Sequence, residues 1–135
     1  MKKFEILEHK ADLKIRAYGK SQKEVFSNML YGMMEVMGPE IRKPEEKIIR
    51  TVRVKSFDLS SLLVDFLNEV LYQTQVNKET YVGVNFQELT EKELKAAITG
   101  KKVKRFEEDV KAATYNNLEV KNENGGWQAT VLFDV

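Results

Sequence analysis

The sequence predicts an α+β domain in which two amphipathic helices pack on a mostly antiparallel sheet. Three observations lead there. Apolar residues recur at helical spacing in two segments, 21–37 and 58–74. In six others (12–18, 47–56, 80–87, 93–99, 114–121 and 127–134) the pattern becomes β-rich, with a period of two clearest in the last. The resulting order is strand, helix, strand, helix, then four strands, which suggests helices covering one face of a sheet.

The first helix has the clearest start. Ser21-Gln22-Lys23-Glu24 fits a capping box, in which the Ser21 hydroxyl and the Glu24 carboxylate each satisfy an orphan backbone donor. Phe26, Met29, Leu30, Met33, Met34 and Met37 then recur on one face, and Gly38-Pro39 stops the helix. Met side chains suit adaptable binding surfaces, but beside Phe26 and Leu30 they read as core. The strand over 47–56 follows. Asp58 caps the second helix, whose buried stripe is Leu62, Leu63, Phe66, Leu67, Val70 and Leu71. Asp65, Asn68, Glu69 and Tyr72 form its polar stripe. The last two strands flank Asn122-Glu123-Asn124-Gly125-Gly126, whose glycines allow the positive φ of a hairpin turn. In the final strand Trp127, Ala129, Val131 and Phe133 share one face, and Gln128, Thr130, Leu132 and Asp134 the other. No linker or repeat interrupts the chain, so a single domain over 1–135 is expected.

Composition narrows the chemistry. The chain has 135 residues, 42% hydrophobic and 32% charged, with no cysteine and one histidine. That excludes disulfides, thiolate nucleophiles, zinc ribbons and iron–sulfur clusters, and any site needing several imidazoles from one chain. A metal here must be held mainly by oxygens, which favours a hard cation such as Ca²⁺ or Mg²⁺. With 22 basic against 21 acidic residues, the formal net charge of +1 provides no global attraction to nucleic acid or to an acidic membrane. Neither a signal peptide nor a membrane-length apolar run is evident, so the chain reads as cytosolic.

Four groups of residues are candidates for function. Glu8-His9-Lys10-Ala11-Asp12 precedes a strand, where the Asp12 carboxylate serves either as an aimed metal ligand or as an ordinary turn residue bonding its own backbone. Phe133-Asp134-Val135 closes the sequence, and a carboxylate, a terminal carboxylate and a carbonyl there would place several hard donors within two residues. The plainer reading is a strand that simply stops. Basic clusters over 42–55 and 101–105 could touch RNA phosphate, but interspersed Glu45, Glu46, Glu107, Glu108 and Asp109 favour a solvated face. Asp65 and Glu69, four apart on one helix, form a weak acid–base candidate. No phosphate loop, nucleophile elbow or aromatic RNA platform is apparent.

Four stretches together resemble the archease family. They are His9-Lys10-Ala11-Asp12 through Gly19, residues 62–72 (Leu-Leu-Val-Asp-Phe-Leu-Asn-Glu-Val-Leu-Tyr), residues 110–115 (Val-Lys-Ala-Ala-Thr-Tyr) and residues 125–135 (Gly-Gly-Trp-Gln-Ala-Thr-Val-Leu-Phe-Asp-Val). The resemblance implies an α+β fold with strand-helix-strand-strand units and a role without catalysis of its own. It implies activation of the GTP-dependent tRNA-splicing RNA ligase, by promoting its guanylylation and multiple turnover. The family's divalent cation, described as calcium, would be held here by Asp12, Asp134 and Val135, with Mg²⁺ or Mn²⁺ compatible with the same donors. Lys111 matches the lysine of the family's K-A-x-T-Y segment and would contribute to partner activation. Two positions depart from the pattern: Lys10 replaces the motif's Thr, and Asn116 stands where His is frequent. Contact with RNA itself is expected to be indirect or weak. An RNA-binding or chaperone-like module serving RNA-modifying enzymes is the alternative, motivated by the basic clusters.

Overall fold

The computed structural model describes residues 2–135. In chain order the elements are β1 (Phe4–His9), β2 (Leu13–Gly19), α1 (Gln22–Met37), β3 (Pro39–Ile41), β4 (Ile48–Lys55), α2 (Leu59–Asn77), β5 (Glu79–Leu89), β6 (Glu93–Phe106), β7 (Ala112–Glu123) and β8 (Gly126–Asp134). Two strands precede each helix, and two follow α1 and four α2, so the order contains the strand-helix-strand-strand runs β2-α1-β3-β4 and β4-α2-β5-β6, which share β4.

The strands form two sheets rather than one. Sheet I has the order β1-β2-β8-β7, and sheet II is built on β6, which pairs with β3, β4 and β5. All pairings are antiparallel. The helices pack on both sheets: α1 on β2 and β5, α2 on β7 and β4. The α+β class with two helices on antiparallel sheet is thereby borne out, while the division of the strands into two sheets departs from helices covering one face. A helix buried on much of its circumference serves two sheets at once, and α1 buries Val25 and Asn28 beyond its predicted stripe.

Two strands escaped the sequence reading for identifiable reasons. β1 lies at the edge of sheet I and is largely exposed, so it lacks the apolar alternation of a half-buried strand. β3 has three residues and begins at Pro39, which cannot donate to a ladder and suits a strand start. β6 runs seven residues past its expected end because its second half, 101–106, is too basic to read as strand yet pairs with β3.

Local signals behave as the chemistry dictates. Glu24 N–H donates to Ser21 Oγ at 3.1 Å, and Lys20 N–H to Glu24 Oε1 at 3.3 Å, closing the capping box one residue before the cap. Gly38 ends α1 in the left-handed region at φ 58°, where a Cβ would be strained. Asp58 Oδ1 accepts from Ser61 N–H at 2.8 Å. Asn124 and Gly125 have φ of 54° and 76°, matching the primed turn that follows strand twist in the β7–β8 hairpin.

The core lies where helices and sheets meet. Phe26 from α1, Phe66 from α2 and Phe86 from β5 form a ring cluster with centroids 5.5–6.1 Å apart. Leu13, Ile15 and Ala17 on β2 meet Ala129, Val131 and Phe133 on β8, all fully buried. Met29, Met33, Met34 and Met37 are buried too, so the methionine face is core. Among the described residues no helix is long and apolar enough to cross a membrane.

Candidate functional site

The predicted ligands lie at one end of sheet I. β2 and β8 pair in a register that ends with Leu13 opposite Phe133. Continued by one residue, that register sets Asp12 across from Asp134. The pairing that sequence alone left open is therefore present, and it joins the first hairpin of the fold to its last strand. Asp12 lies in the short turn between β1 and β2, where Lys10 N–H donates to the Asp12 carbonyl at 3.2 Å. Asp12, Asp134 and Val135 are all exposed. A surface cavity of about 560 Å³ is lined by residues 7–12.

The turn also settles the geometry around Lys10. Residues 10–12 form a bend, so the rule that residues two apart on a strand share a face does not operate there. Among the described residues neither Asp12 nor Asp134 has a cationic side chain within 4.0 Å, and Lys10 and Lys111 have no carboxylate that close. Two carboxylates thus stand at one sheet end without an ion pair among the described residues, an arrangement that leaves them open to a cation.

Lys111 belongs to the same end. Its backbone N–H donates to the Asp134 carbonyl at 2.9 Å, so the residue matched to partner activation is tied directly to a candidate ligand. His9 Nε2 lies 2.9 Å from Glu108 Oε2, fastening the end of β1 to the segment that leads into Lys111.

A residue whose role the sequence left unassigned completes the support. Asn68 sits on the polar stripe of α2, and its side chain bridges both backbone groups of Ala113: Nδ2 donates to the carbonyl at 3.1 Å, and Oδ1 accepts from the N–H at 2.8 Å. This clamp holds the start of β7, two residues from Lys111, against the helix. The available signal was an amide beside the buried Leu67 and Val70, since a partly buried amide needs partners. Nearby, Tyr115 donates to Asp65 from a stretch where the β7–β8 register shifts between Thr114 and Glu119. The carboxylate raises the Tyr115 pKa to about 12, with burial adding to the shift. Glu69 accepts from Gln73 at 3.0 Å, so both acids of the four-apart pair have local partners. Asn116 is exposed on this shifted stretch.

The donor set fits a hard divalent cation. Among the described residues no group of three or more His, Cys, Asp or Glu side chains is arranged for a metal. The candidate set is instead two side-chain carboxylates with main-chain oxygens at Val135, all oxygen donors.

The basic clusters are largely satisfied within the protein. Glu79 takes Arg50 and Lys102, Glu40 takes Lys104 and Arg105, and Glu46 takes Lys43. Lys101 Nζ bonds the main-chain oxygens of Pro44 and Glu46. A solvated face, rather than a phosphate grip, describes these segments.

Comparison with known proteins identifies the family. Residues 4–135 match the archease protein family (MTH1598/TM1083). The protein archease of Methanosarcina mazei is 39% identical, over 99% of this chain and 97% of its own length. That of Pyrococcus abyssi is 37% identical over the full length of both. The solution structure of protein 1598 from Methanobacterium thermoautotrophicum superposes with a TM-score of 0.73 at 28% identity, covering both chains completely. The crystal structure of an archease from Thermotoga maritima, described as a possible chaperone, shares the fold with a TM-score of 0.69 at 19% identity, covering 97% of this chain and 96% of its own. This chain belongs to the archease family.

Proposed function

We propose that this protein activates a GTP-dependent tRNA-splicing RNA ligase, promoting guanylylation and repeated turnover of the ligase without catalysing a reaction itself. What supports the proposal is the β2–β8 pairing, which leaves Asp12 and Asp134 at one end of sheet I, and the Lys111 N–H bond to the Asp134 carbonyl there. Asp12, Asp134 and the main-chain oxygens of Val135 would hold a divalent cation, Ca²⁺ by preference, with Mg²⁺ and Mn²⁺ served by the same donors. When bound, that cation supplies positive charge that offsets the paired carboxylates and orders the two chain segments bearing them. Lys111, anchored through its backbone to Asp134 and free in its side chain, presents an ammonium beside the site to the docked ligase. Activation requires that this surface bind the guanylylation-competent ligase state more tightly than the resting one, because equal affinity shifts no equilibrium. RNA contact is not needed for that action.

Multiple-turnover RNA joining with catalytic amounts of ligase tests the reading. The protein should raise product beyond one equivalent of ligase, and Asp12→Ala or Asp134→Ala should abolish the gain. Stimulation by both variants at the wild-type level would sink the metal-dependent form. Nucleotide turnover by the protein alone would replace the proposal with an enzymatic one.

A further inference from the structure

The opposite end of sheet I carries a different chemistry. The β2–β8 register runs from Leu13 opposite Phe133 to Gly19 opposite Trp127, a separation of six residue steps, or about 20 Å. There, a cavity of about 640 Å³ opens between Lys2, the β2–α1 junction and the β7–β8 hairpin, with Trp127 in its wall. A second, of about 680 Å³, lies between the N-terminal half of α1 and β5, and Lys3, Lys23 and Tyr31 contribute to its lining. Lys2 and Lys20 line both cavities. The two hollows are thus separated by a shared basic ridge, each large enough for a nucleotide.

The charges here are unlike those of sheet II. Among the described residues Lys20 and Lys23 have no carboxylate within ion-pair distance, and Lys3 Nζ stands 6.0 Å from the centre of the Tyr31 ring. Lys2 pairs with Glu5, but its side chain is 59% exposed. Glu123, the acid of the first cavity, is drawn to Lys121 at 3.1 Å. The Ser21 hydroxyl takes the Glu24 N–H of the first turn of α1, and the lysine ammoniums supply the full positive charges that line the two hollows. Trp127 takes the first inward position of β8. Partly buried, it packs against the core and also lines the cavity.

We propose that the two hollows take neighbouring nucleotides of a single-stranded nucleic acid, one base stacking on Trp127 and the linking phosphate resting on the Lys2–Lys20 ridge. An aromatic wall joined to a basic track is how single strands are held without sequence readout: every base offers a π-face and every linkage a negative charge. Two cavities on a common ridge favour a strand over a free mononucleotide, which would fill only one. The sequence hid this site because its parts lie at residues 2–3, 20–31 and 123–128, far apart in the chain and outside both obvious basic clusters. The inference stands apart from the metal-end reading, since it shares no residue with it.

Trp127 is the sole tryptophan, so its fluorescence reports on its own cavity. Titrating the full chain with a single-stranded oligonucleotide of about six nucleotides should quench it saturably. With labelled oligonucleotide followed by anisotropy, Lys20→Glu and Trp127→Leu should each weaken binding by about tenfold or more, and Lys20→Ala should lower the salt slope by about one. Lys104→Glu, which makes the same charge change on sheet II, should leave affinity unchanged. Absence of quenching overturns the site, as does affinity that survives Lys20→Glu, an exposed substitution that leaves the core untouched. Equal affinity for GMP and the oligonucleotide overturns the strand assignment.

Discussion

The Glu79 cluster of sheet II and the two ends of sheet I handle charge in opposite ways. In sheet II, Glu79 is fully buried, and its carboxylate is satisfied from all sides: Arg50 reaches both oxygens at 3.0 and 2.7 Å, Tyr81 donates at 2.7 Å and Lys102 stands at 3.4 Å. At the ends of sheet I some charges are paired, as in Lys2–Glu5 and His9–Glu108, but others are not. Asp12 and Asp134 lie just past the last β2–β8 pair at one end, and Lys20 and Lys23 line a hollow at the other, none of the four in an ion pair among the described residues. A charge that the fold neutralises internally contributes to structure. Like charges gathered and left unneutralised cost stability unless something outside the chain balances them, which marks them for ligands.

The comparison breaks first at Glu79. Glu79→Ala should cost about 2–4 kcal/mol in urea unfolding, because it strands Tyr81 and two cations. The figure sits below the range for a deeply buried pair because Arg50 and Lys102 remain more than a third exposed. Ligand binding at either end of sheet I should survive wherever the variant is folded. The same group sets an acid limit. Burial opposes its charge, but Arg50, Tyr81 and Lys102 together hold its pKa below the ordinary carboxylate value. A depressed carboxylate stabilises the fold above its unfolded pKa, about 4.3, and loses that contribution as pH falls through the folded value. Wild-type stability should therefore drop on the acid side of about pH 4, more steeply than that of Glu79→Ala.

Asn68→Ala comes next. Two bonds to the Ala113 backbone would be lost, at about 1–3 kcal/mol by thermal or urea unfolding. Faster amide exchange at Ala113 and Lys111 should accompany it, since the start of β7 loses its clamp. Exchange unchanged there would remove Asn68 from the support of the site.

The opposite outcome is expected at the acidic end. Without divalent cation, Asp12→Asn should alter stability by no more than about 0.5 kcal/mol, as a surface change that relieves repulsion. With Ca²⁺ at a hundredfold excess over its Kd, the wild type should gain about 2.7 kcal/mol, and the variant should lose that gain. A chelator should return the wild type to its metal-free melting temperature. A wild type indifferent to Ca²⁺, Mg²⁺ and Mn²⁺ alike would erase the contrast between the regions.

The smallest effect is spectroscopic. Tyr115 should ionise at about 12, and Asp65→Asn should bring it back toward about 10 in an alkaline absorbance titration. The sign follows from the hydrogen bond, which favours the neutral phenol in the folded state. Its contribution is complete below about pH 10 and disappears as pH rises through about 12.

Much of this was legible in the chain itself, and the reasons are local. Capping by Ser21 and Asp58, the stop at Gly38, the Asn124-Gly125 turn and the stripes of both helices are decided within a few residues by backbone sterics and hydrogen bonds. The absence of cysteine and the lone histidine limited a metal site to oxygen donors before any contact was known. Asp12, Asp134, Val135 and Lys111 acquire their roles from motif resemblance, because spacing alone favours an ordinary turn and a plain strand end.

Tertiary structure decided whatever depends on pairing between distant segments. A strand's partner is set by burial over the whole fold, so the sequence did not reveal two sheets in place of one, nor that β2 lies beside β8 and sets Asp12 opposite Asp134. It did not reveal which cations Glu79 would neutralise, and so which basic residues remained open. Nor did it place Trp127 beside Lys2 and Lys20. Local chemistry specifies elements and the kinds of ligand they can hold; long-range packing determines which charges find a partner inside the molecule and which are left facing outward.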